Sequence, residues 1–192
     1  AFVRAIEAVD AYLRGHSDFT AQLAVLLARQ LGRDDPETLA TLRTAAKLSQ
    51  LGMIQLPKEL LTKSGSLTPD ERAQLERHVD YAREALAGID FGLPVLEAMT
   101  QMHERLDGSG YPDHLQGENI CPNARILAVA NTFCALVRPR SYRTALPVDA
   151  ALKLLKTTPP SYDPQVIAAL QTILGTDEGK TFFTRLQNGQ EA

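Results

Sequence analysis

The sequence predicts an all-α fold, and three observations lead to that class. Apolar residues recur at three- and four-residue spacing along almost the whole chain, as at Phe19, Leu23, Leu26 and Leu27. The ends of these periodic segments are marked by helix-start and helix-stop residues. No segment between turn signals alternates apolar and polar residues with a period of two, so no strand is predicted.

Each predicted helix has its own signal. The first carries Phe2, Ile6, Val9 and Leu13, the second ends before Gly32, and the third opens at Asp35-Pro36. A capping box with proline at the first helical position, Thr68 to Glu71, opens another. Further helices are predicted over Leu93 to Arg105, Pro122 to Leu136, Pro147 to Lys156 and Pro164 to Leu174. The segment 176–192, with Phe182-Phe183, is predicted to be either a packed helix or a frayed tail.

Composition excludes several classes of protein. A chain of 192 residues with 44% hydrophobic residues is long enough for one core. The net charge of -3 and the lack of a Lys/Arg cluster argue against nucleic-acid binding. Two cysteines without a C-x-x-C pair favour neither a disulfide scaffold nor a zinc site, so we expect a cytoplasmic protein. No uncharged apolar run reaches about 18 residues, so no membrane span is expected.

The long irregular stretch from Leu106 to Cys121 is the first candidate for function, because such loops in compact domains are often functional. Imidazoles are good metal ligands, but an isolated histidine is more often a polar helix residue. Taken alone, His16 could therefore be a capping or surface residue and His78 a solvent-exposed one. His103 differs because it immediately precedes the loop.

At this loop the sequence His103 to Pro112, HERLDGSGYP, closely resembles the HERWDGSGYP signature of HD-GYP domains. These are the all-helical cyclic di-GMP phosphodiesterases of the HD superfamily. The resemblance runs from about Asp10 to Leu170 and includes five further segments: Asp10 to Ser17, Leu56 to Lys63, Leu67 to Glu71, Ala124 to Ala130 and Arg140 to Arg143. It implies an HD-superfamily bundle in residues 1–175, followed by a C-terminal helix or tail at 176–192. Whether a sensory or receiver domain precedes Ala1 is left open.

The chain departs from the family at the positions that give the family its chemistry. Ser49 and Gln50 replace the His-Asp pair, and Met53 replaces the lysine that follows it. Met102 replaces the first histidine before the GYP loop, and Asn131 replaces a metal-binding aspartate. The ligand-type positions that survive are His16, His78 and His103, which we expect to point to one cavity.

The lost carboxylates decide the expected chemistry. Two dications about 4 Å apart repel by roughly 17 kcal/mol at an effective dielectric constant of about 20, and neutral amides do not offset that repulsion. We therefore expect no catalysis and no cofactor, with Ser49, Gln50 and Asn131 hydrogen-bonded to one another. The alternative is a phosphodiesterase or phosphohydrolase with one transition metal ion on His16, His78 and His103, and an oxygen from Glu104 or Asp107.

The expected function is a catalytically inactive signalling module linked to cyclic di-GMP. The resemblance places Arg140 and Arg143 near the dinucleotide phosphates, and the alternative is that they are exposed helix-end arginines. Without metals, dinucleotide binding should be weak. The resemblance also implies that the GYP surface contacts GGDEF-type diguanylate cyclase domains or other signalling proteins. The loop residues concerned are Asp107, Gly108, Gly110, Tyr111 and Pro112, and their alternative role is to maintain the fold.

Overall fold

A computed structural model describes residues 15–63, 65–138, 144–157 and 161–187 of the chain. Over these ranges the fold is all-α, which confirms the predicted class, and the only β pairing is an isolated bridge between Asp107 and Gln116. The helices in chain order are α1 His16–Gln30, α2 Pro36–Leu48, α3 Lys58–Leu61, α4 Pro69–Glu76, α5 His78–Ala85, α6 Val95–Thr100, α7 Pro122–Val137, α8 Val148–Thr157, α9 Pro164–Gly175 and α10 Asp177–Gln187. Short 3-10 helices cover Leu51–Gln55, Gln101–His103 and Gly117–Asn119.

The core is built around α1, which packs against α2 and α7. Leu23, Leu27 and Phe133 are fully buried in this layer. Their burial follows the three- and four-residue spacing of apolar side chains that predicted these helices. None of the helices described is both long and apolar enough to span a membrane.

The C-terminal helix α10 closes one side of the core. Phe182 lies edge-on to Phe19 of α1 with ring centroids 5.8 Å apart, and Phe183 lies edge-on to Phe133 of α7 at 5.3 Å. Both geometries are favourable for aromatic pairs. Of the two alternatives predicted for this segment, residues 177–187 therefore form the packed helix.

Two predicted caps are present, and one predicted helix boundary is wrong. Asp35 accepts the Thr38 N–H at 2.8 Å, and Thr68 and Glu71 form the predicted reciprocal capping box. The predicted helix from Leu93 to Arg105 instead becomes α6 and a 3-10 turn that ends at His103. The backbone turns to an extended conformation at Glu104, because this residue is hydrogen-bonded into the following loop.

Gly52 sets the distance between the Leu51–Gln55 turn and helix α5. A Cβ atom at this position would collide with the backbone carbonyl group of His78, so the close approach requires glycine. The contact brings Gln50 and Met53 to the same cavity as His78, and that cavity is the candidate functional site.

Candidate functional site

The three histidines predicted to converge line one cavity of about 560 Å³. Gln50, Met53, Tyr111 and Asn131 line it too, together with the apolar side chains of Leu60, Leu61, Leu67, Leu75 and Ala135. Its remaining side chains are Lys63, Ser66, Arg72 and Glu76, with Gly65. A mostly apolar wall with a few convergent polar groups is typical of a small-molecule site.

His16 and His78 are buried, as the predicted convergence on one cavity requires, and neither takes the surface or solvent position that was the alternative. Their exposed fractions are 2% and 1%. His16 opens α1 directly after Gly15, whose φ of 70° turns the chain into the helix. His78 opens α5 at the break after α4, so its ring enters the bundle although α4 itself has no buried residue. Burial makes both imidazoles part of the site rather than of the surface.

The rings of Tyr111, His103 and His78 form a continuous chain of contacts. The Tyr111 hydroxyl lies 3.0 Å from Nδ1 of His103, and Nε2 of His103 lies 3.4 Å from Nε2 of His78. Nδ1 of His78 lies 2.8 Å from the Leu75 carbonyl oxygen, so it must donate a proton there. If both rings are neutral, His103 then donates from Nε2 to His78 and accepts at Nδ1 from Tyr111. One direction of donation thus satisfies every nitrogen of the pair.

Burial keeps this chain uncharged. Desolvation lowers the pKa of His103 well below its ordinary value, and the nearby His78 and Arg105 act in the same direction. Desolvation also lowers the pKa of His78 and raises that of the Tyr111 hydroxyl. At neutral pH the His78 and His103 imidazoles and the Tyr111 phenol that line the cavity are therefore neutral.

The substituted residues are only partly the hydrogen-bonded remnant that was expected. Ser49 donates its hydroxyl to the Ala46 carbonyl at 2.8 Å, and the Gln50 amide reaches the Ser49 oxygen at 3.4 Å. Asn131 does not join them, because its Oδ1 lies 2.8 Å from Nε2 of His16 on α1, the helix against which α7 packs. Asn131 thus binds His16 through a hydrogen bond from an uncharged amide. An aspartate at this position would bind the same histidine with a charged group.

The two methionines have different surroundings. Met53 lines the cavity, whereas Met102 is fully buried in the hydrophobic core and does not reach it. Cys134 lies in the same core. Met102 therefore contributes no polar group to the cavity, whereas its neighbour His103 does.

Glu104 holds the loop in place. It is 2% exposed, and its Oε1 and Oε2 accept the backbone N–H groups of Asp113 at 2.7 Å and Leu115 at 3.1 Å. Asp107 is held in a similar way, since it accepts the Ser109 N–H at 3.0 Å and the Ser161 hydroxyl at 2.7 Å. Both carboxylates are thus used by the loop, and neither lines the cavity.

The loop presents different residues to the inside and to the outside. Tyr111 points into the cavity, and its ring stacks on His103 with centroids 4.9 Å apart. Gly110 is buried where a Cβ would meet the backbone of Glu104 and Arg105. Asp107, Ser109, Asp113 and His114 are exposed. Of the loop residues predicted to contact a partner, Tyr111 and Gly110 therefore support the loop from inside.

Several site residues were missed by sequence reasoning. Asp113 forms an ion pair with Arg83 of α5 at 2.6 Å and so joins the loop to that helix. Lys63 donates to both carboxylate oxygens of Glu71 at the rim of the cavity, at 2.7 and 2.6 Å. The capping box identified Glu71 but gave no sign of this second partner. Arg140 and Arg143 lie outside the described residues, so their contact with phosphates remains a prediction.

The residues of the cavity do not fit a centre of two or three metal ions. Such a centre needs anionic ligands between the cations, and Gln50 and Asn131 provide neutral amides. The 3.4 Å between the Nε2 atoms of His78 and His103 does match two corners of a tetrahedral ion, which requires about 3.3 Å at ordinary zinc–nitrogen distances. In the described part of the chain, however, no three His, Cys, Asp or Glu side chains are grouped to hold a metal ion.

Comparison with known proteins gives a consistent family. The family model of the HD domain matches residues 2–166. A cyclic di-GMP phosphodiesterase response regulator, RpfG of Xanthomonas campestris pv. campestris, is 39% identical over 87% of this chain and 45% of its own length. The 3'3'-cGAMP-specific phosphodiesterase 3 of Vibrio cholerae is 34% identical over 91% of this chain and 38% of its own length. The chain thus spans less than half of these relatives.

A solved structure shares the fold. Bd1817, an HDG"Y"P protein from Bdellovibrio bacteriovorus, aligns with a TM-score of 0.65 over 84% of this chain and 52% of its own, at 22% identity. The bundle described above is therefore an established arrangement of helices.

The neutral histidine pair predicts that stability falls with acidification. Below the ordinary histidine pKa of about 6.5 the unfolded chain takes up protons, whereas the lowered pKa values of His78 and His103 delay their protonation in the folded state. We expect the free energy of unfolding to drop by about 1–2 kcal/mol between pH 7.5 and 5.5, measured by urea denaturation. His103→Gln should flatten this dependence and His114→Asn, at an exposed site, should not. Equal slopes for all three proteins would contradict it.

The buried carboxylate of Glu104 predicts a specific effect on the loop. Glu104→Gln keeps one acceptor oxygen but replaces the other by a donor facing an N–H group, so we expect a loss of about 1–3 kcal/mol in stability. Hydrogen exchange of the Asp113 and Leu115 amides should accelerate in the variant. Glu118→Gln, at an exposed position of the 3-10 helix Gly117–Asn119 and not the acceptor of either amide, serves as the matched control. Unchanged exchange at both amides would show that Glu104 does not hold the loop.

Proposed function

Because the chain belongs to the HD domain family, in its HD-GYP group, we propose that it is a signalling module linked to cyclic di-GMP that has lost phosphodiesterase activity. The observation that supports this most directly is the cavity itself. Gln50, Met53 and Asn131 occupy the wall on which the family's metal chemistry depends, and none of them carries a charge.

The chemistry of hydrolysis explains why this wall matters. Cleavage of a phosphodiester needs an activated water and a stabilised negative charge in the transition state. The cavity supplies the neutral imidazoles of His78 and His103, whose nitrogens are hydrogen-bonded to each other and to Tyr111. Neutral amides and a thioether activate no water, so in this proposal the cavity retains shape and hydrogen bonding without catalysis.

In this proposal the GYP loop is the surface that contacts the partner protein. Glu104, Asp107 and the Arg83–Asp113 ion pair hold it in one conformation, and it presents Ser109 and His114 to solvent. A loop fixed from inside loses little conformational freedom when a partner binds. We infer that the partner is a GGDEF-type diguanylate cyclase domain in the cytoplasm, with weak dinucleotide binding assisted by Arg140 and Arg143.

The loss of catalysis is tested directly. The protein should release neither linear dinucleotide nor GMP from cyclic di-GMP above background, with Mn, Fe or Ni supplied. Clustered cations need several anionic ligands, whereas Gln50 and Asn131 are neutral amides and Glu76 is the one carboxylate among the described lining residues. Product analysis by chromatography after long incubation provides the measurement. Turnover that disappears in His103→Ala would overturn the proposal.

A second candidate is a phosphodiesterase or phosphohydrolase with a single metal ion. The 3.4 Å spacing of the two Nε2 atoms favours it, as do relatives named as phosphodiesterases. Metal analysis of the purified protein separates the two candidates. If the first is correct, the metal content should be far below one ion per chain. A stoichiometric ion that is lost in His78→Ala would establish the second.

The docking surface predicts separate effects for inner and outer residues. Ser109→Arg adds bulk and charge at an exposed site and removes the hydroxyl that donates to Asp107 at 2.6 Å. We expect at least tenfold weaker binding to the cognate GGDEF domain with only a small fall in melting temperature. Tyr111→Phe removes the hydroxyl bonded to His103, so it should lower stability while retaining binding. Calorimetry with diguanylate cyclase domains of the same cell measures both. If the native protein binds none of them, the loop serves the fold alone.

A further inference from the structure

One exposed residue of the loop has a backbone conformation that favours glycine. His114 has a φ of 54°, and it is the one non-glycine residue with a positive φ in the described part of the chain. A side chain at such an angle crowds its own backbone, so glycine adopts the conformation at lower cost. Contacts elsewhere in the fold must therefore impose it on His114.

The buried carboxylate of Glu104 imposes this conformation. Its two oxygens accept the backbone N–H groups of Asp113 at 2.7 Å and of Leu115 at 3.1 Å, so one group holds both residues that flank His114. Arg83 holds the side chain of Asp113 as well, at 2.6 Å. The backbone on both sides of His114 is thus fixed by contacts in which its own side chain takes no part.

The other exposed polar side chains of the loop are already bound within the protein. The exposed residues between positions 107 and 114 are Asp107, Ser109, Asp113 and His114. The Ser109 hydroxyl donates to Asp107 at 2.6 Å, and Asp107 also accepts the Ser161 hydroxyl at 2.7 Å. Asp113 forms the ion pair with α5 described above. Three of the four side chains therefore stabilise the loop itself.

The imidazole of His114 is the fourth, and it has no such role. The described part of the chain gives it no hydrogen bond, ion pair or ring contact. In either protonation state an imidazole has at least one N–H group to donate, so it can bind a carbonyl or carboxylate oxygen. A side chain that costs the fold stability and contributes no contact to it points to a contact outside the chain.

We infer that His114 is the residue by which the loop recognises its protein partner, through a hydrogen bond from the imidazole to an acceptor oxygen on the partner's surface. The inference rests on the proposed docking of the loop to a GGDEF-type domain, and it identifies the specificity-determining residue of that surface. Because the backbone around His114 is fixed in advance, little conformational freedom is lost when the partner binds.

Two substitutions in the full 192-residue chain separate backbone strain from recognition. His114→Gly relieves the strain and removes the imidazole, so the melting temperature should rise by about 2–4 °C while binding weakens about tenfold or more. His114→Ala removes the imidazole and keeps the strain, so binding should weaken as much without that rise. Thermal melting and titration calorimetry with purified GGDEF-type diguanylate cyclase domains of the same cell provide the measurements.

Two further variants serve as controls. His114→Asn keeps an N–H donor on a residue that tolerates the left-handed conformation, so binding should weaken less than about threefold. Asn119→Gly introduces glycine at an exposed position of the 3-10 helix Gly117–Asn119, where φ is not positive. It should lower the melting temperature and leave binding unchanged, because glycine there brings only flexibility.

The outcomes separate this inference from the proposed function. If the native protein binds a GGDEF domain and His114→Ala binds it equally tightly, the inference is wrong while the proposed docking stands. An unchanged or lower melting temperature in His114→Gly would show that the backbone is not strained at this position, which also overturns the inference. If the native protein binds none of these domains, the proposed docking and the inference fail together.

Discussion

The site depends on the hydrogen-bonded chain from Tyr111 through His103 and His78 to the Leu75 carbonyl. It connects the loop, the 3-10 turn before it and the start of α5 with three contacts. Each member is buried or half-buried, so water competes little for these groups, and an unsatisfied nitrogen there would be costly. These hydrogen bonds join the loop, the turn and α5 through His103 and His78, two of the surviving ligand-type positions.

Neutral groups and carboxylates contact different parts of the loop. Inside, the contacts to Tyr111 and Gly110 are made by rings and backbone. The carboxylates of Glu104, Asp107 and Asp113 hold N–H, hydroxyl or guanidinium donors, the first from a buried position and the other two at the surface. Negative charge is thus retained where it orders the backbone of the loop, whereas the Gln50 and Asn131 side chains of the cavity carry none. The protein can keep the shape of the loop without keeping the chemistry of the cavity.

The sequence predicted most helices because their burial follows a simple period, as in α1 and α7. That Gln50, Met53 and Asn131 have lost ligand chemistry stays a prediction, made from residue type alone. That His78 faces the cavity was predicted from the family resemblance. Periodicity could not have predicted it, because the burial results from the break between α4 and α5 and from Gly52 on a distant turn. The pairing of Asn131 with His16 spans 115 residues and has no local signal.

Helix α10 has a consequence for the synthesis of the protein. Phe182 and Phe183 cover Phe19 and Phe133, yet they leave the ribosome after both of them. Until then the surface around α1 and α7 lacks these aromatic partners, and exposed apolar surface of this kind promotes association between nascent chains. Chains cut before Phe182 keep that surface permanently open, which makes them substrates for chaperones and proteases rather than a smaller version of the domain.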